Sequence, residues 1–490
     1  MNSNFLVKQI LKNKNNNKII FKDKYNDISW KRLIKLSLLN KDNLDKKNDK
    51  NVVIICGRNI DTVIAIISSI LSGKTFCPIS DKTPKKRIRF ILNKLKTEIL
   101  INASSEKFDK DLSCINIKKK FKKIKKFNKK KIVNSKNKIC YILFTSGSTG
   151  EPKGVMLSYS NLLNTILWSK KYLKWNRKDL IGIATSFSFD ISMFDLLTSI
   201  YFNVRAYIFS NTQNPVITYN EIVKKNVTSI FSVPSFFSNF IYFNLINKNF
   251  NKLRRIISGG DFFSPKSIKV WKDNQKKIEI FNVWGPTETS IVNTMHRIRK
   301  SEVDQILKSM SVPVGTSDKK MEVKIFKNKK FFDTPGIKGE ICMFGKCVSE
   351  GYVGNIKENN KYIIHKNKRG FLTGDFGYFD KNKNLYLIGR KDTTVKVSGY
   401  RVDLKEIETI SNNMEDVEDS KVLFIKDKEF NYIAIFILIK KKSIKKKFKY
   451  LLSQELPNYA MPKKFLFFKS FPKNFNGKVD IKKLEKLAKF

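Results

Sequence analysis

Short apolar runs alternate with amphipathic stretches over most of the chain. The runs are predicted to be strands, and they lie at residues 51–56, 139–145, 180–184, 228–233, 254–258 and 278–283. Helical periodicity fills the intervals between them, for example at residues 61–71 and 84–95. Alternation of this kind predicts an α/β fold in which helices cover largely parallel sheets.

The alternation of predicted strands and helices changes in the last third of the chain. The tail contains the apolar runs VKV, VLFI and YIAIFILI together with two or three helical patterns, which suits a small α+β module. We therefore predict a large N-terminal domain of layered sheets and helices at residues 1–388, a short connection at 389–392, and a C-terminal domain at 393–490.

The sequence shows neither a membrane segment nor a targeting segment. No uninterrupted apolar run reaches the roughly 20 residues that a spanning helix needs. The first residues, MNSNFLVKQILKNK, lack an apolar core followed by a small-residue cleavage site. The six cysteines are scattered without close pairs, which disfavours a zinc site and a disulfide framework. We expect a cytoplasmic protein without membrane insertion.

The net charge of +54, from 97 Lys and Arg against 43 Asp and Glu, could suggest a nucleic-acid partner. However, most of these cations are Lys, and they occur with abundant Asn, Ile and Phe, all residues with A/T-rich codons. Genome composition therefore explains the charge without selection for binding. Because basic arms and base-stacking platforms are not evident, we disfavour nucleic acid as the primary partner.

The sharpest chemical signal is the segment YILFTSGSTGEPKGV at residues 141–155. A predicted strand runs into small residues that let the backbone approach a polyanion, and hydroxyls and a lysine add donors and charge. The spacing is not that of a Walker A loop. The segment predicts a phosphate-binding loop, formed by Thr145, Ser146, Gly147, Ser148, Thr149, Gly150 and Lys153.

This loop resembles the phosphate-binding signature of the adenylate-forming enzymes, the superfamily of acyl-CoA synthetases, luciferases and peptide-synthetase adenylation domains. Further motifs resemble that superfamily in its order along nearly all 490 residues. They are the segments 25–39 and 70–84, FDIS (189–192), SGGD (258–261), NVWGPTET (282–289), GEICMFGKCVSEGY (339–352), FLTGD (371–375), GRKDTTVKVSGYRV (389–402), LPNYAMP (456–462) and NGKVD (476–480).

The resemblance implies how the nucleotide, ATP, is held. Trp284 stands where the superfamily usually has a tyrosine that packs on adenine, and an indole can stack equally well. Asp375 is expected to accept hydrogen bonds from both ribose hydroxyls, and Arg390 to contact the ribose. Gly259 and Gly260 would allow the backbone to approach the adenine and the substrate.

The resemblance also implies the catalytic groups. Thr287 would lie beside the phosphates, and Glu288 would hold Mg²⁺ together with phosphate oxygens and water. Lys478 would reach into the cleft during adenylation and stabilise charge on the α-phosphate. Asp392 would be the hinge about which the small domain swings between two reactions.

Asp190 of FDIS resembles the aspartate that pairs with the α-ammonium of the substrate in amino-acid-activating domains. A buried ammonium needs a counter-charge, whereas a fatty-acid pocket would only lose free energy by desolvating a carboxylate. Asp195 is assigned to helix packing or structure. By position, the rest of the pocket is uncharged, which favours a neutral, small or medium apolar amino acid. These residues are Ile191, Phe194, Ser232, Ile257, Gly259, Val283, Ile291 and Val292.

The sequence therefore predicts an ATP-dependent ligase that makes an aminoacyl-AMP and transfers the aminoacyl group to a phosphopantetheine thiol. Because nothing follows Phe490, we expect that thiol to belong to a separate carrier protein, as in nonribosomal peptide-type biosynthesis. Two alternatives stay open: a D-alanine–carrier protein ligase, which FDISMFDLL also resembles, and an acyl- or aryl-CoA synthetase.

Overall fold

The computed structural model of the chain describes residues 4–104, 114–118, 138–145, 151–318, 320–354, 357–390, 394–427, 431–439, 444–472 and 479–489. The chain divides into two compact units. The first comprises Met1–Asp81, Leu95–Leu143 and Gly154–Gly389, and the second comprises Lys82–Lys94, Phe144–Lys153 and Arg390–Phe490. The second unit thus includes two segments from early in the chain, and the domain bounds inferred from the sequence stay a prediction.

The described strands up to residue 390 lie mainly in the first unit. They are β1 (Ile19–Lys22), β2 (Asp27–Ser29), β3 (Asn51–Cys56), β4 (Thr75–Ser80), β5 (Leu100–Ala103), β6 (Ile115–Asn116), β7 (Ile139–Thr145), β8 (Lys153–Ser158), β9 (Leu180–Ile183), β10 (Arg205–Ile208), β11 (Ser229–Ser232), β12 (Arg255–Ser258), β13 (Glu279–Trp284), β14 (Thr294–Ile298), β15 (Met321–Lys327), β16 (Lys330–Phe332), β17 (Gly339–Gly345), β18 (Tyr362–His365), β19 (Lys368–Phe379) and β20 (Leu385–Arg390).

The helices between these strands are α1 (Asn4–Lys12), α2 (Trp30–Leu44), α3 (Ile60–Leu71), α4 (Lys85–Leu95), α5 (Tyr159–Leu173), α6 (Asp190–Phe202), α7 (Pro215–Lys225), α8 (Pro234–Tyr242), α9 (Pro265–Asn274) and α10 (Val303–Ser309). Short 3₁₀ turns occupy Thr287–Thr289, Lys300–Glu302 and Lys357–Lys361. The predicted α/β alternation and its strand positions are confirmed, with ends that differ by a few residues.

Three sheets form the first unit. One has eight strands in the order β14-β13-β12-β11-β9-β10-β1-β2, and its inner pairs from β13 to β1 are all parallel. A second has six strands in the order β6-β5-β3-β4-β7-β8, and a third, antiparallel around β17 and β19, has the order β16-β15-β17-β19-β18 with β20 beside β19. One hydrophobic core runs through the unit.

Local sequence explains where the helices begin and end. Helix α5 begins with a capping box, because the Ser158 hydroxyl accepts from the Asn161 amide and the Asn161 side chain accepts from the Ser158 amide. Helix α6 ends at Phe202 and is capped by Asn203, whose left-handed backbone (φ 54°) is one that asparagine tolerates better than most residues. None of the helices in the described part of the chain is long and apolar enough to cross a membrane.

The second unit contains the tail. Its elements are β21 (Thr394–Val397), β22 (Tyr400–Asp403), α11 (Leu404–Asn412), β23 (Val417–Ile425), β24 (Tyr432–Ile439), α12 (Ile444–Ser453), a 3₁₀ turn (Asn458–Ala460), β25 (Lys464–Phe468) and α13 (Ile481–Lys489). Strands β21 and β22 form a hairpin, and β23-β24-β25 form a small mixed sheet that packs against the helices. The α+β character predicted for the tail is confirmed.

A buried ion pair ties helix α4 to helix α11 within the second unit. The Arg87 guanidinium lies 2.9 Å from the Glu406 carboxylate, and both side chains are almost completely buried. Burial raises the pKa of Glu406, and the charge of Arg87 opposes that rise. Tyr459, stacked on Tyr400 with ring centroids 4.1 Å apart, lies close enough to Arg87 to interact with it electrostatically. Removing either charge would leave the other buried.

We expect Arg87→Ala to lower the free energy of unfolding by about 3–5 kcal/mol, because Glu406 would keep its buried charge without a counter-ion. The matched control is Lys86→Ala on the same helix, which removes an exposed pair with Glu455 and should cost about 1 kcal/mol or less. Urea denaturation of the full chain, followed by circular dichroism, measures both. Equal losses in the two variants would contradict this account.

Candidate active site

Several of the residues singled out by sequence lie at the carboxyl ends of neighbouring parallel strands in the eight-stranded sheet. Asp190 begins α6, which follows β9; Gly259 comes directly after β12; and Trp284 is the last residue of β13. Strands β9, β11, β12 and β13 are adjacent in that order. In open α/β sheets, ligands bind outside these carboxyl ends, where loops and helix starts converge.

Asp190 is held by a residue that the sequence assigned to another task. The Thr287 hydroxyl donates to the Asp190 carboxylate over 2.6 Å, and Asp190 is only 6% exposed. Thr287 begins the 3₁₀ turn after β13, so the chain must turn there to bring the two side chains together. The position of Asp190 in the first turn of α6 also favours a negative charge, because helix dipoles are positive at that end.

Trp284 and Asp375 form a second buried contact. The indole N–H of Trp284 donates to the Asp375 carboxylate over 2.8 Å, and both side chains are buried. Thr373 also helps to fix this strand, because its hydroxyl accepts from the Asp375 amide and donates to the Ile341 carbonyl. Two residues that the sequence placed around one nucleoside therefore lie within hydrogen-bonding distance of each other.

Glu288 lies deeper than an ordinary turn residue would. It is 1% exposed, its carboxylate accepts from the Tyr352 hydroxyl at 2.7 Å, and its backbone carbonyl accepts from the Ser349 amide at 2.8 Å. Within the described ranges, no cluster of three or more His, Cys, Asp or Glu could hold a metal ion. A single carboxylate fits Mg²⁺, which usually takes one or two protein carboxylates and completes its shell with phosphate oxygens and water.

The turn after Glu288 is strained and clamped. Ile291 is β-branched yet has φ 76°, and the Val292 amide donates to the Ser290 carbonyl, which closes a rare type of γ-turn around it. The Thr165 hydroxyl donates to the same carbonyl, while the Ser290 hydroxyl donates to the carbonyl of Cys347. Backbone strain of this kind persists only where surrounding contacts over-determine it, as they often do at functional sites.

Most of the predicted pocket lies on one face of the sheet. Register pairs Ile257 with Phe231 on one side and with Phe281 on the other, and the two-residue period places Val283 on the same face. Phe194 of α6 packs edge-on against Phe231 at 5.5 Å. A Cβ at position 259 would come within 2.6 Å of the Val283 side chain, so any larger residue there would force Val283 to move. Sequence reasoning missed Phe231, because no motif marks it.

Ser232 is separated from that group. It pairs in register with Ser258, one position beyond the row of Ile257, so the pleat directs its side chain to the opposite face. Asp195, the competitor of Asp190, is 1% exposed, and burial raises the pKa of its carboxyl well above the ordinary value. Its Oδ2 has no hydrogen-bond partner among the described residues, which suits a neutral packing residue.

The structure describes only some of the remaining predicted site residues. Ile191, Ile291 and Val292 are buried in the first unit, where Gly260 is partly exposed with φ 85°. Thr145, Lys153 and Arg390 belong to the second unit. Others lie outside the described residues, so their roles stay predictions: Ser146, Gly147, Ser148, Thr149, Gly150, Asp392 and Lys478.

Two tyrosines near these carboxylates were not assigned from the sequence. Tyr352 donates to Glu288, and the only advance signal was its place at the end of the GEICMFGKCVSEGY motif. Tyr141 of β7 is fully buried; burial, and then the neighbouring charge of Asp190, raise the pKa of its hydroxyl. The arrangement as a whole offers buried carboxylates, fixed by hydroxyl and indole donors, beside an aromatic wall. It can bind cations and hydroxyls in a site largely shielded from water.

Comparison with known proteins identifies relatives of this arrangement. Residues 12–353 match the model of the AMP-binding enzyme family. Bacitracin synthase 3 of Bacillus licheniformis is 26% identical over 445 residues, which are 89% of this chain but 7% of that protein. This chain therefore spans only a small part of that relative.

Solved structures share the fold. PA1221, described as an NRPS protein containing adenylation and PCP domains, superposes with a TM-score of 0.87 at 18% identity, covering 98% of this chain and 83% of that one. The Vibrio cholerae adenylation domain AlmE, in complex with glycyl-adenosine-5′-phosphate, gives a TM-score of 0.83 at 21% identity, covering 99% and 98%. The predicted layered fold with a smaller C-terminal module is thus confirmed.

We expect Trp284→Phe to lower the free energy of unfolding by about 1.5–3 kcal/mol more than Trp168→Phe does, because a hydrogen bond to a charged group is worth about that much. Both indoles are buried, but the Trp168 N–H has no partner among the described residues, so that control removes a similar volume without a hydrogen bond. Thermal and urea unfolding of the ligand-free protein measure the difference. Losses of the same size would exclude an energetic role for the Trp284–Asp375 contact.

Proposed function

Because the chain belongs to the AMP-binding enzyme family, and is therefore an ATP-dependent, AMP-forming ligase that activates a carboxylic acid by adenylation, we propose that its acid is an amino acid. We further propose that the aminoacyl group passes from AMP to the phosphopantetheine thiol of a carrier protein. The amino acid is neutral, with a small or medium apolar side chain.

The observation that carries this proposal is the buried, hydrogen-bonded carboxylate of Asp190. It lies at the carboxyl end of the sheet beside an uncharged aromatic and aliphatic surface that includes Phe194, Phe231 and Ile257. A carboxylate kept out of water lowers the affinity of a pocket for an apolar acid, whereas an α-ammonium compensates its charge. An amino acid is the simplest acid that brings such a cation.

The chemistry follows in two steps. A carboxylate oxygen of the amino acid attacks the α-phosphorus of ATP, and the bond to the pyrophosphate oxygen breaks, which gives aminoacyl-AMP and pyrophosphate. The carrier thiol, on losing its proton, then attacks the acyl carbon, and AMP leaves. The protein acts by positioning and by charge stabilisation, without a covalent intermediate of its own.

The residues divide this work as follows. Asp190 binds the ammonium, the Trp284 ring packs on adenine, and Asp375 accepts from the ribose hydroxyls. Lys478 neutralises charge at the α-phosphate in the first step, and rotation about Asp392 removes it for the second. Glu288 would hold Mg²⁺, which supplies charge neutralisation of the phosphates when it is bound.

The carrier partner has its own support. PA1221 is described as containing both adenylation and PCP domains, and this chain covers only 7% of bacitracin synthase 3 and 10% of gramicidin S synthase 2. Many basic side chains are exposed on this chain, and a net charge of +54 would speed encounters with an acidic carrier. The glycyl-adenosine phosphate bound to AlmE is the type of intermediate we propose, with a small amino acid.

Amino-acid-dependent exchange of labelled pyrophosphate into ATP tests the proposal. The panel contains L-amino acids, D-alanine, fatty acids and aryl acids, so that it also separates the D-alanine and acyl-CoA alternatives. We expect exchange with one or a few apolar amino acids and its loss, by at least 100-fold in kcat/KM, in Asp190→Asn.

The matched control is Asp195→Asn on the same helix, which should retain exchange because Asp195 is a buried neutral packing residue. Exchange with fatty or aryl acids alone, or an Asp190→Asn variant as active as wild type on amino acids, would overturn the proposal.

Thr287 gives a second, finer test. We expect Thr287→Val to raise the KM for the amino acid about tenfold or more, because its hydroxyl bond to the Asp190 charge is lost, whereas Thr287→Ser should stay near wild type. Steady-state exchange at saturating ATP measures the KM of each variant. Similar KM values for the valine and serine variants would show that the hydroxyl does not position Asp190.

A further inference from the structure

A cavity of about 700 Å³ lies at the amino edge of the eight-stranded sheet, within the first unit. Its lining comes from four separate stretches: the end of α1, the turn into β1, the turn before β9, and the junction of α6 with β10. The lining residues are Gln9, Lys12, Asn13, Asn16, Lys18, Ile19, Arg177, Phe202, Asn203 and Arg205. Its volume falls within the range typical of small-molecule sites, about 300–1,000 Å³.

The cavity is separate from the candidate active site. Strands β1, β9 and β10 are parallel, and the cavity residues Lys18, Arg177 and Arg205 precede or begin them. Asp190 follows the opposite end of β9. The length of strand β9 therefore separates the two places.

All the charged side chains among the lining residues are cations. Lys12, Lys18, Arg177 and Arg205 contribute four positive charges, and no carboxylate lines the cavity among the described residues. None of these four side chains forms an ion pair with another described residue. Like charges that share a concave surface repel one another and focus a positive potential, which an anion would relieve.

The acidic residue nearest to Arg177 in sequence is committed elsewhere. The Asp179 carboxylate is fully buried, pairs with Arg254 and Arg255, and accepts from the Thr228 hydroxyl. The charge of Arg255 and these hydrogen bonds hold the pKa of Asp179 below its usual value despite its burial. It cannot also neutralise the cavity.

Composition bias does not account for this set of charges. The chain has 13 Arg among its 97 basic residues, and codon usage that favours lysine does not favour arginine. Two of those 13, Arg177 and Arg205, line this one cavity from different segments. Arginine presents a planar fork of donors that suits the paired oxygens of a phosphate better than lysine does.

The walls are held in place before any ligand arrives. The Gln9 amide donates to the Tyr201 carbonyl at 2.9 Å, the Asn16 amide donates to the Asn13 side chain at 3.0 Å, and the Trp30 indole donates to the Asn203 side chain at 2.7 Å. Binding would therefore cost conformational entropy mainly in the four cationic side chains, which are exposed, and little in these neutral parts of the wall.

We propose that this cavity binds a small molecule with two or more phosphate groups, at a site independent of the active site. The four cations come from separate segments of the lining and provide donors on several sides, as a multivalent anion requires. The volume accommodates a nucleotide-sized compound.

Isothermal titration of the full chain with inorganic tripolyphosphate, at low and at physiological salt, tests the site. The test variant is Arg177→Gln with Arg205→Gln. The control variant, Lys266→Gln with Lys277→Gln, removes the same charge from exposed positions on and near α9. We expect the test variant to lose one equivalent of bound tripolyphosphate, or to bind it at least tenfold more weakly, and the control to match wild type.

Melting temperatures and pyrophosphate exchange near wild type in both variants would show that the fold and the active site are intact, as expected for surface positions far from Asp190. Equal weakening in test and control variants would overturn the proposal, because it would mean diffuse charge attraction. Unchanged binding in the test variant would also overturn it. Citrate and a single-stranded DNA 20-mer are the competing probes, and preferential, Arg177-dependent binding of either would overturn the assignment to phosphate compounds.

Discussion

A carboxylate that is kept away from water constrains everything around it, and Asp190 is that group here. It is buried at the first turn of α6, where the helix dipole favours its charge, and the Thr287 hydroxyl donates to it. Those two interactions help Asp190 to remain in the pocket, and in the function we propose the α-ammonium of the substrate meets its charge. On that proposal, the choice of acid depends on this one charge more than on the shape of the apolar wall.

The segment from Trp284 to Val292 connects Asp190 with the other residues of the candidate site. Trp284 contacts Asp375, Thr287 contacts Asp190, and Glu288 contacts Tyr352, so one short segment reaches three other elements of the first unit. Within this segment Ile291 adopts a strained γ-turn, and Ser290 beside it is fixed by two side-chain hydrogen bonds: its carbonyl accepts from the Thr165 hydroxyl, and its hydroxyl donates to the Cys347 carbonyl. Because these contacts share one short segment, a substitution that removes one of them should also alter the geometry of the others.

Sequence was sufficient for what depends on local pattern. Apolar runs located β3, β7 and β13, since a buried parallel strand needs a continuous apolar stretch, and the ordered motifs located Asp190, Glu288 and Asp375 in the chain. It was not sufficient for contacts that depend on tertiary geometry. The bond from Thr287 to Asp190, the position of Phe231 between α6 and β12, and the Arg87–Glu406 pair each join segments that no local rule connects.

The same distinction applies to charge. Summed over the chain, 97 basic residues indicate only an A/T-rich coding bias, because lysine is what such a bias produces. The positions of the cations in the fold say more about binding than their number does. The charges of Arg254 and Arg255 are compensated within the fold by Asp179. Arg177 and Arg205 instead line a cavity that has no carboxylate among its described lining residues, so their charges are available to a bound anion. A net charge can speed encounters with an acidic partner, but it identifies no binding site until the acidic partners of each cation have been located.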